Sequence, residues 1–301
     1  MRLLSLQALP GDAEHQAFTD LVHFAGELFC VLREGQSHIS ADGRIRVMHS
    51  SDGFRWQSTA LLRCNWADLR DPRLLVRADG QLILHACAAL HQPAACSHRN
   101  LAWISQDGRH WSEAKTIAED NIWLWRSLWQ GGKALGMGYR CGKPRFVRLY
   151  QSVDGLDWQI VSKQAYSGSY ANESALMIDS EQRAWCLLRR DPDNALLGVA
   201  DSPWQNWQWR DIGERIGSPQ WLRLDDGRLL AAVRKYQPHE RCCLAWVDTE
   251  QARLTECLAL PSGGDCGYPG MVLWQDDLWV SYYSSHEGAS RVYLAQINGA
   301  S

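Results

Sequence analysis

Short runs in which apolar and polar residues alternate recur along the whole chain, and none has helical periodicity. Six segments share one order: a small or polar cluster, an apolar strand, a turn and a second apolar strand. They read "AFTDLVHFAGELFCVLREG", "LRDPRLLVRADGQLILHACA", "LWRSLWQGGKALGMGYR", "NESALMIDSEQRAWCLLRR", "GSPQWLRLDDGRLLAAVRK" and "GYPGMVLWQDDLWVSYYSS". A repeat of about 50 residues built from short strands is typical of a propeller blade. We therefore predict an all-β chain, with residues 1–301 forming a single six-bladed β-propeller domain.

Further strands complete these units. A third apolar strand follows four of the six segments, as "RIRVMHS", "NLAWISQ", "FVRLYQS" and "RVYLAQI". The opening stretch "MRLLSLQALP" belongs to no unit. We expect it to supply the outer strand of the last blade and so close the ring.

Three of the third strands continue into one pattern, S-x-D-G-x-x-W, at 50–56, 105–111 and 152–158. Asp and Gly suit a tight hairpin, Ser bonds the local backbone, and Trp packs between neighbouring blades. A turn between the outer strands of a blade lies far from the propeller axis. We therefore predict a structural rather than a catalytic role for Ser50, Asp52, Ser105, Asp107, Ser152 and Asp154.

Composition narrows the possible partners. The formal charge is −3 with both signs well mixed, so no basic stripe indicates a nucleic-acid partner. No segment approaches the roughly 20 apolar residues that span a bilayer, so we expect no membrane association. The start of the chain lacks a signal-peptide pattern, and the ten cysteines form no CxxC pair. We expect free buried thiols, a cytoplasmic location, no structural metal and no cofactor.

Equivalent positions in the six units predict a binding site on the axis. Three residues before the first core residue of each unit stand Phe18, Asp71, Trp125, Glu173, Pro219 and Tyr268. The second strands end at the same mouth, with a second ring of Arg33, Cys87, Arg140, Arg190, Arg234 and Tyr283. Arg126 and Trp123 lie beside the first ring. Guanidinium groups match carboxylates and tryptophans stack on sugar faces, so the pattern favours an anionic, hydroxylated ligand.

These residues resemble the sialidase (neuraminidase) superfamily, whose six-bladed propellers carry repeated Asp-box turns like the three above. The segment "NESALMIDSEQRAWCLLRR" is similar to one in which a Glu precedes an Arg of the substrate-carboxylate clamp. The resemblance implies these roles for Glu173 and for Arg189 or Arg190. "CGYPGMV" is similar to the segment with the nucleophilic tyrosine, here Tyr268. "PHERCCLAWV" resembles the place of a further clamp arginine, which implies Arg241, with Arg234 from the second ring as the alternative.

The first unit departs from the family pattern. Sialidases carry a leading clamp arginine in an Arg-Ile-Pro motif, whereas the matching "HQAFTDL" contains no arginine. Arg33 resembles a second arginine of that blade, and Arg70 or Arg126 are candidates to enter the pocket from blades two and three. The loop "SHISADG" stands where the family keeps its acid/base aspartate, which leaves His38 or Asp42 for that role.

The resemblance implies a retaining exo-glycosidase acting on a sialic acid or a related acidic nine-carbon or uronic sugar. A neutral phenol assisted by Glu173 suits such a substrate because its own carboxylate would repel an anionic nucleophile. Three alternatives remain: a non-catalytic glycan-binding propeller, a propeller that binds a protein partner, and a polysaccharide lyase acting on uronic acids. In the lyase, His38, His85 or His286 would matter more than Glu173. The sequence leaves the oligomeric state open.

Overall fold

Alternating strands fold into six sheets of four antiparallel strands. The computed structural model describes residues 1–299, and within them it has 24 strands and no helix. Accordingly, no helix in this part of the chain is long and apolar enough to cross a membrane. The all-β, six-bladed prediction is confirmed.

The first three blades, each written from its innermost strand outward, take the first half of the chain. Blade one contains β2 (His15–Phe24), β3 (Glu27–Gly35), β4 (Arg44–Ser50) and β5 (Gln57–Leu62). Blade two contains β6 (Ala67–Val76), β7 (Leu82–Leu90), β8 (His98–Ser105) and β9 (Lys115–Ile117). Blade three contains β10 (Ile122–Gln130), β11 (Lys133–Arg140), β12 (Phe146–Ser152) and β13 (Gln159–Ser167).

The last three blades follow the same plan, and the N-terminal strand completes the sixth. Blade four contains β14 (Tyr170–Ile178), β15 (Ala184–Asp191), β16 (Leu196–Ala200) and β17 (Gln208–Asp211). Blade five contains β18 (Ile216–Arg223), β19 (Leu229–Lys235), β20 (Arg241–Asp248) and β21 (Arg253–Ala259). Blade six contains β22 (Cys266–Trp274), β23 (Asp277–Ser284), β24 (Arg291–Asn298) and β1 (Arg2–Ala8). Because β1 pairs antiparallel with β24, the two ends of the chain share one sheet, as the sequence predicted.

The innermost strand of every blade has a bulge at a corresponding height. The pairing register shifts at residues 17–20, 70–73, 124–126, 171–174, 217–220 and 267–270. A bulge bends its strand and re-aims the side chains within it. The residues left unpaired are Phe18, Thr19, Asp71, Pro72, Trp125, Asn172, Glu173, Ser218, Pro219, Tyr268 and Pro269.

The bulges reproduce the first predicted ring with an offset in two blades. The first unpaired residue has a positive φ at Phe18, Asp71, Ser218 and Tyr268. In blade five this position therefore belongs to Ser218 and not to the predicted Pro219. In blade four Glu173 is the second unpaired residue rather than the first. The sequence alignment missed both offsets because it counted residues from the core and could not see where pairing stops.

The three repeated turns fasten the outer strands of blades one, two and three. In the third of them, Asp154 Oδ1 accepts the backbone N–H groups of Leu156 and Asp157, both at 2.8 Å. Ser152 Oγ accepts the N–H of Gly155 at 2.8 Å. A Cβ on Gly155 would lie 2.4 Å from Ile83 of the preceding blade, so this turn packs directly against its neighbour. The geometry supports the structural role predicted for these turns.

Candidate active site

One cavity of about 500 Å³ opens where the innermost strands begin. All six blades contribute to its wall, through bulges in blades two, four and six and through other residues in blades one, three and five. The lining residues are His38, Ile39, Arg70, Asp71, Ala89, His98, Trp123, Tyr139, Tyr170, Asn172, Glu173, Arg189, Asp191, Arg234, Asp265, Tyr268 and Tyr283.

A tyrosine and a glutamate meet at the base of the cavity. Tyr268 Oη donates a hydrogen bond to Glu173 Oε1 at 2.6 Å. Arg189 Nη1 donates to the same oxygen at 2.7 Å, and the backbone N–H of Ser218 donates to Oε2 at 2.5 Å. Ser218 Oγ in turn accepts the backbone N–H of Tyr268 at 2.9 Å. Both side chains are thus held in one orientation by neighbouring bulges.

The surroundings of Tyr268 keep its phenol protonated. Its ring packs against Phe18 at 4.7 Å and edge-on to Trp125 at 4.9 Å between ring centroids. Burial, together with the nearby Asp71 and Glu173 carboxylates, raises the pKa of Tyr268 well above its ordinary value. The phenol can therefore act as a nucleophile only if a base accepts its proton, and Glu173 is placed to do so.

Two arginines beside this pair differ in how firmly they are held. Arg189 lies between Glu173 and Asp191, whose Oδ2 is 2.9 Å from Arg189 Nε. Arg234 reaches Asp265 Oδ1 and the carbonyl of Gly264 only at 3.5 Å each. The buried Nε of each arginine has no hydrogen-bond partner in the described part of the chain, so the difference lies in the longer contacts of the Arg234 Nη atoms. Arg234 therefore has donors free for an anionic ligand.

Asp71 places a second carboxyl group in the cavity. The residue is only 4% exposed, and its Oδ1 has no hydrogen-bond partner among residues 1–299. Burial raises the pKa of Asp71 to about 6, although Arg70 and Arg73 oppose the shift. Arg70 lies alongside and donates from Nη1 to the carbonyl of His38 at 3.1 Å.

A histidine on the cavity wall is paired with a carboxylate. His38 Nδ1 lies 2.7 Å from Asp265 Oδ2, and the hydroxyl of Tyr283 donates to Asp265 Oδ1 at 2.7 Å. Although burial acts in the opposite direction, the hydrogen bonds from His38 and Tyr283 lower the pKa of Asp265. The carboxylate is therefore ionised at neutral pH.

His15, His38 and Asp265 also form a possible metal-binding group, since their donor atoms lie within 4.8 Å of one another. Burial, followed by the charges of His38 and Arg33, lowers the pKa of His15 to about 4. Arg70 acts in the same direction, whereas the Asp265 carboxylate opposes it.

The structure brings nine of the predicted site residues to the cavity: His38, Arg70, Asp71, Trp123, Glu173, Arg189, Arg234, Tyr268 and Tyr283. Three others lie buried behind it. Trp125 supports the ring of Tyr268, and Arg126 binds Asp20 Oδ1 at 2.9 Å and the carbonyl of Pro269 at 2.8 Å. Arg33 is fully buried and donates to the carbonyl of Ser37, so it shapes the loop that carries His38. These three residues position the site and do not line it.

Three predicted residues lie outside the cavity. Arg190 binds the carbonyl of Asn194 at 2.7 Å, Arg241 binds Glu256 Oε2 at 2.6 Å, and Asp42 accepts the N–H of Gln36 at 3.2 Å beside a separate hollow. Adjacent strand residues point to opposite faces, so Arg189 and not Arg190 enters the site. Of the two candidates for the further clamp arginine, Arg234 lines the cavity and Arg241 does not.

The histidines of the lyase alternative are separated. His85 is buried and paired with Ser127 at 2.9 Å, while His286 is bonded to Ser284 at 3.0 Å and does not line the cavity. Three polar lining residues, Asp265, Asp191 and Asn172, are among those that the sequence did not indicate. None of them occupies an aligned ring position, so spacing carried no signal for them.

No protein-family model and no curated protein matches this sequence. Solved structures do match. A Dyadobacter fermentans protein of unknown function has a TM-score of 0.85 at 18% identity, over 99% of this chain and 98% of that one. Trypanosoma rangeli sialidase in complex with sialic acid has a TM-score of 0.72 at 12% identity, over the whole of this chain and 58% of that one. A Hadza microbial sialidase has a TM-score of 0.76 at 15% identity, over 95% of this chain and 66% of that one. The fold is thus that of a sialidase-like six-bladed propeller.

Proposed function

We propose that the chain is a retaining exo-glycosidase that hydrolyses glycosides of a sialic acid or a related acidic sugar. The observation that carries this proposal is the 2.6 Å hydrogen bond from Tyr268 Oη to Glu173 Oε1 at the base of a sugar-sized cavity. Glycosidases that use a tyrosine in place of a carboxylate nucleophile are those whose substrate carries its own charge at the reacting centre.

In the first step Tyr268 Oη attacks the anomeric carbon while its proton passes to Glu173. The bond to the leaving oxygen breaks, and the sugar is held as a tyrosyl glycoside. Water then attacks the same carbon, the bond from that carbon to Tyr268 Oη breaks, and Glu173 returns the proton to Tyr268. The proton that the water loses balances the one that the leaving oxygen takes up in the first step. Two inversions at one carbon give net retention.

The arginines support an anionic substrate. Arg189 is fixed by Glu173 and Asp191, whereas Arg234 has free donors beside Tyr268. A guanidinium pair of this kind binds a carboxylate through charge-assisted hydrogen bonds. Arg70 approaches from the opposite wall and adds a third positive charge. A sialic acid ligand in the structure of the T. rangeli enzyme fits this choice of substrate.

A second function, a non-catalytic glycan-binding propeller, is favoured by one residue. The first-blade stretch "HQAFTDL", which matches the family's leading clamp motif, contains no arginine, and its Phe18 packs a buried ring on Tyr268. Without that arginine, a carboxylate beside the anomeric carbon has fewer partners. Such a protein would retain sugar affinity but would show no turnover.

A panel of fluorogenic glycosides tests the proposal. It contains α-ketosides of N-acetylneuraminic acid and of its deaminated relative, with D-glucuronides and D-galacturonides. The parent protein is compared with Tyr268→Phe and with Tyr166→Phe, a matched control on the outer strand β13. Release by the parent and by Tyr166→Phe, but not by Tyr268→Phe, is the expected result. If the parent cleaves no glycoside of the panel but its unfolding temperature rises on adding the free sugars, the glycan-binding propeller is favoured.

A further inference from the structure

The pair formed by His38 and Asp265 has no part in the steps above, yet it faces the same cavity. His38 lies on the loop after β3, and Asp265 lies just before β22, on the other side of the junction between blades one and six. The His38 side chain is 45% exposed, so its imidazole is open to a bound ligand. One ring nitrogen is committed to Asp265, which leaves Nε2 available.

Several contacts fix the orientation of this imidazole. Its ring packs edge-on against Phe18 at 5.0 Å, and Arg70 holds its backbone carbonyl. Asp265 is itself held, because Ser285 Oγ accepts its backbone N–H at 2.9 Å and Tyr283 donates to its Oδ1. A carboxylate that accepts from Nδ1 sets the tautomer and the orientation of a histidine.

We propose that His38 is the proton donor to the leaving oxygen, and that Asp265, held by Tyr283, is the residue that positions it. This inference rests on the proposed glycosidase function. Asp42, the carboxylate of the same loop, is bonded to the backbone of Gln36 outside the cavity and takes no part.

The proton transfers balance. As the bond between the anomeric carbon and the leaving oxygen breaks, the proton on His38 Nε2 passes to that oxygen, and the aglycone leaves as a neutral alcohol. In the second step neutral Nε2 accepts a proton from the attacking water, which restores the imidazolium. Asp265 remains ionised throughout and offsets its charge.

The test varies the leaving group. For the glycone that the parent cleaves fastest in the panel, kcat/KM is measured with a methyl and with a 2,4-dinitrophenyl aglycone. A dinitrophenolate leaves without protonation, whereas an alkoxide does not. We expect His38→Ala to lose about 10²–10⁴-fold on the methyl glycoside and less than about tenfold on the dinitrophenyl glycoside. Asp265→Asn and Tyr283→Phe should show the same split with smaller losses.

Two controls separate the outcomes. His15→Gln alters the third member of the possible metal group, and we expect it to stay within a few-fold of the parent on both substrates. Tyr268→Phe should be inactive on both. If kcat/KM of His38→Ala and of Asp265→Asn fell equally for the methyl and the dinitrophenyl glycoside, the proposal would be overturned and the glycosidase function would be left intact.

Metal dependence gives a different result. Suppose that kcat/KM fell as far in His15→Gln as in His38→Ala, and that a chelator abolished an activity that Zn²⁺ restored. The three residues would then be a metal site, and the proton-donor role would be wrong. If the parent cleaved no glycoside at all, the proposed function would fail and the proton-donor role would fail with it.

Discussion

Tyr268 of blade six donates to Glu173 of blade four across 2.6 Å, although 95 residues separate them in the chain. Blade five lies between them and supplies Ser218, which bonds to both residues. Three consecutive bulges therefore build this contact.

Replacing Glu173 by Gln tests the proton acceptor. An amide cannot take the phenolic proton, and burial already raises the pKa of Tyr268, so the phenol becomes a poor nucleophile. We expect kcat to fall by at least about 10²-fold with little change in KM. Steady-state kinetics on the preferred fluorogenic glycoside measure this. Glu181→Gln, an exposed control, should match the parent, and a Glu173→Gln variant with more than half the parental kcat would rule out this role.

The two candidate clamp arginines of blade five give a matched pair. Arg234 lines the cavity with free donors, whereas Arg241 is bonded to Glu256 outside it. Arg234→Ala should weaken binding of a 2,3-unsaturated sialic acid analogue by about 1.5–3 kcal/mol, which is roughly 10–150-fold. Arg241→Ala should leave its affinity unchanged. Calorimetric titration measures both, and equal losses would show that Arg234 does not contact the ligand.

Because the pKa of Asp71 is raised in the folded protein, we expect the free energy of unfolding to depend on the protonation of this residue. Burial raises its pKa from 3.8 to about 6, so between these values the native state binds more protons than the unfolded chain. The contribution of Asp71 to stability is therefore lost as pH rises through about 6, and the loss between pH 4 and pH 7 is about 2 kcal/mol.

Asp71→Asn removes this titration. Relative to the parent, the variant should gain about 2 kcal/mol in unfolding free energy between pH 4 and pH 7. Urea unfolding at the two pH values measures the difference, in which the titration of all shared groups cancels. A difference between parent and variant that does not change with pH would contradict the shift.

The repeated turns should affect stability and leave catalysis unchanged. Asp154→Ala removes an oxygen that accepts two backbone N–H groups, which should cost about 1–3 kcal/mol of unfolding free energy. Gly155→Ala should cost at least as much, because its Cβ would clash with Ile83. Thermal unfolding reports these losses. The kcat/KM of either folded variant should equal that of the parent, and a selective loss of activity would show that the turn affects the site.

The fold could be predicted because a β-propeller repeats its pattern. Hydrophobic alternation and the three S-x-D-G-x-x-W turns gave six blades and the closing strand. Tyr268 and Glu173 were found in the same way, with the help of the family resemblance. Arg189 could not be separated from Arg190, because the choice depends on a bulge that only pairing reveals.

Asp265 was missed for a different reason. It precedes β22 in a loop, and its partners His38 and Tyr283 come from the first blade and from another strand of the sixth. Such contacts depend on how the first and last blades meet. The repeat pattern within a blade carries no information about such contacts, so the loop residues at the blade junctions could not be predicted from the sequence.

Trapping the covalent intermediate tests the central claim most directly. The parent is incubated with a 2,3-difluoro derivative of its preferred acidic sugar, which slows release of the glycosyl group, and peptides are mapped by mass spectrometry. The account predicts one sugar adduct, on Tyr268, and none in Tyr268→Phe. An adduct on another residue, or turnover of the fluorogenic glycoside by Tyr268→Phe at the parental rate, would contradict it.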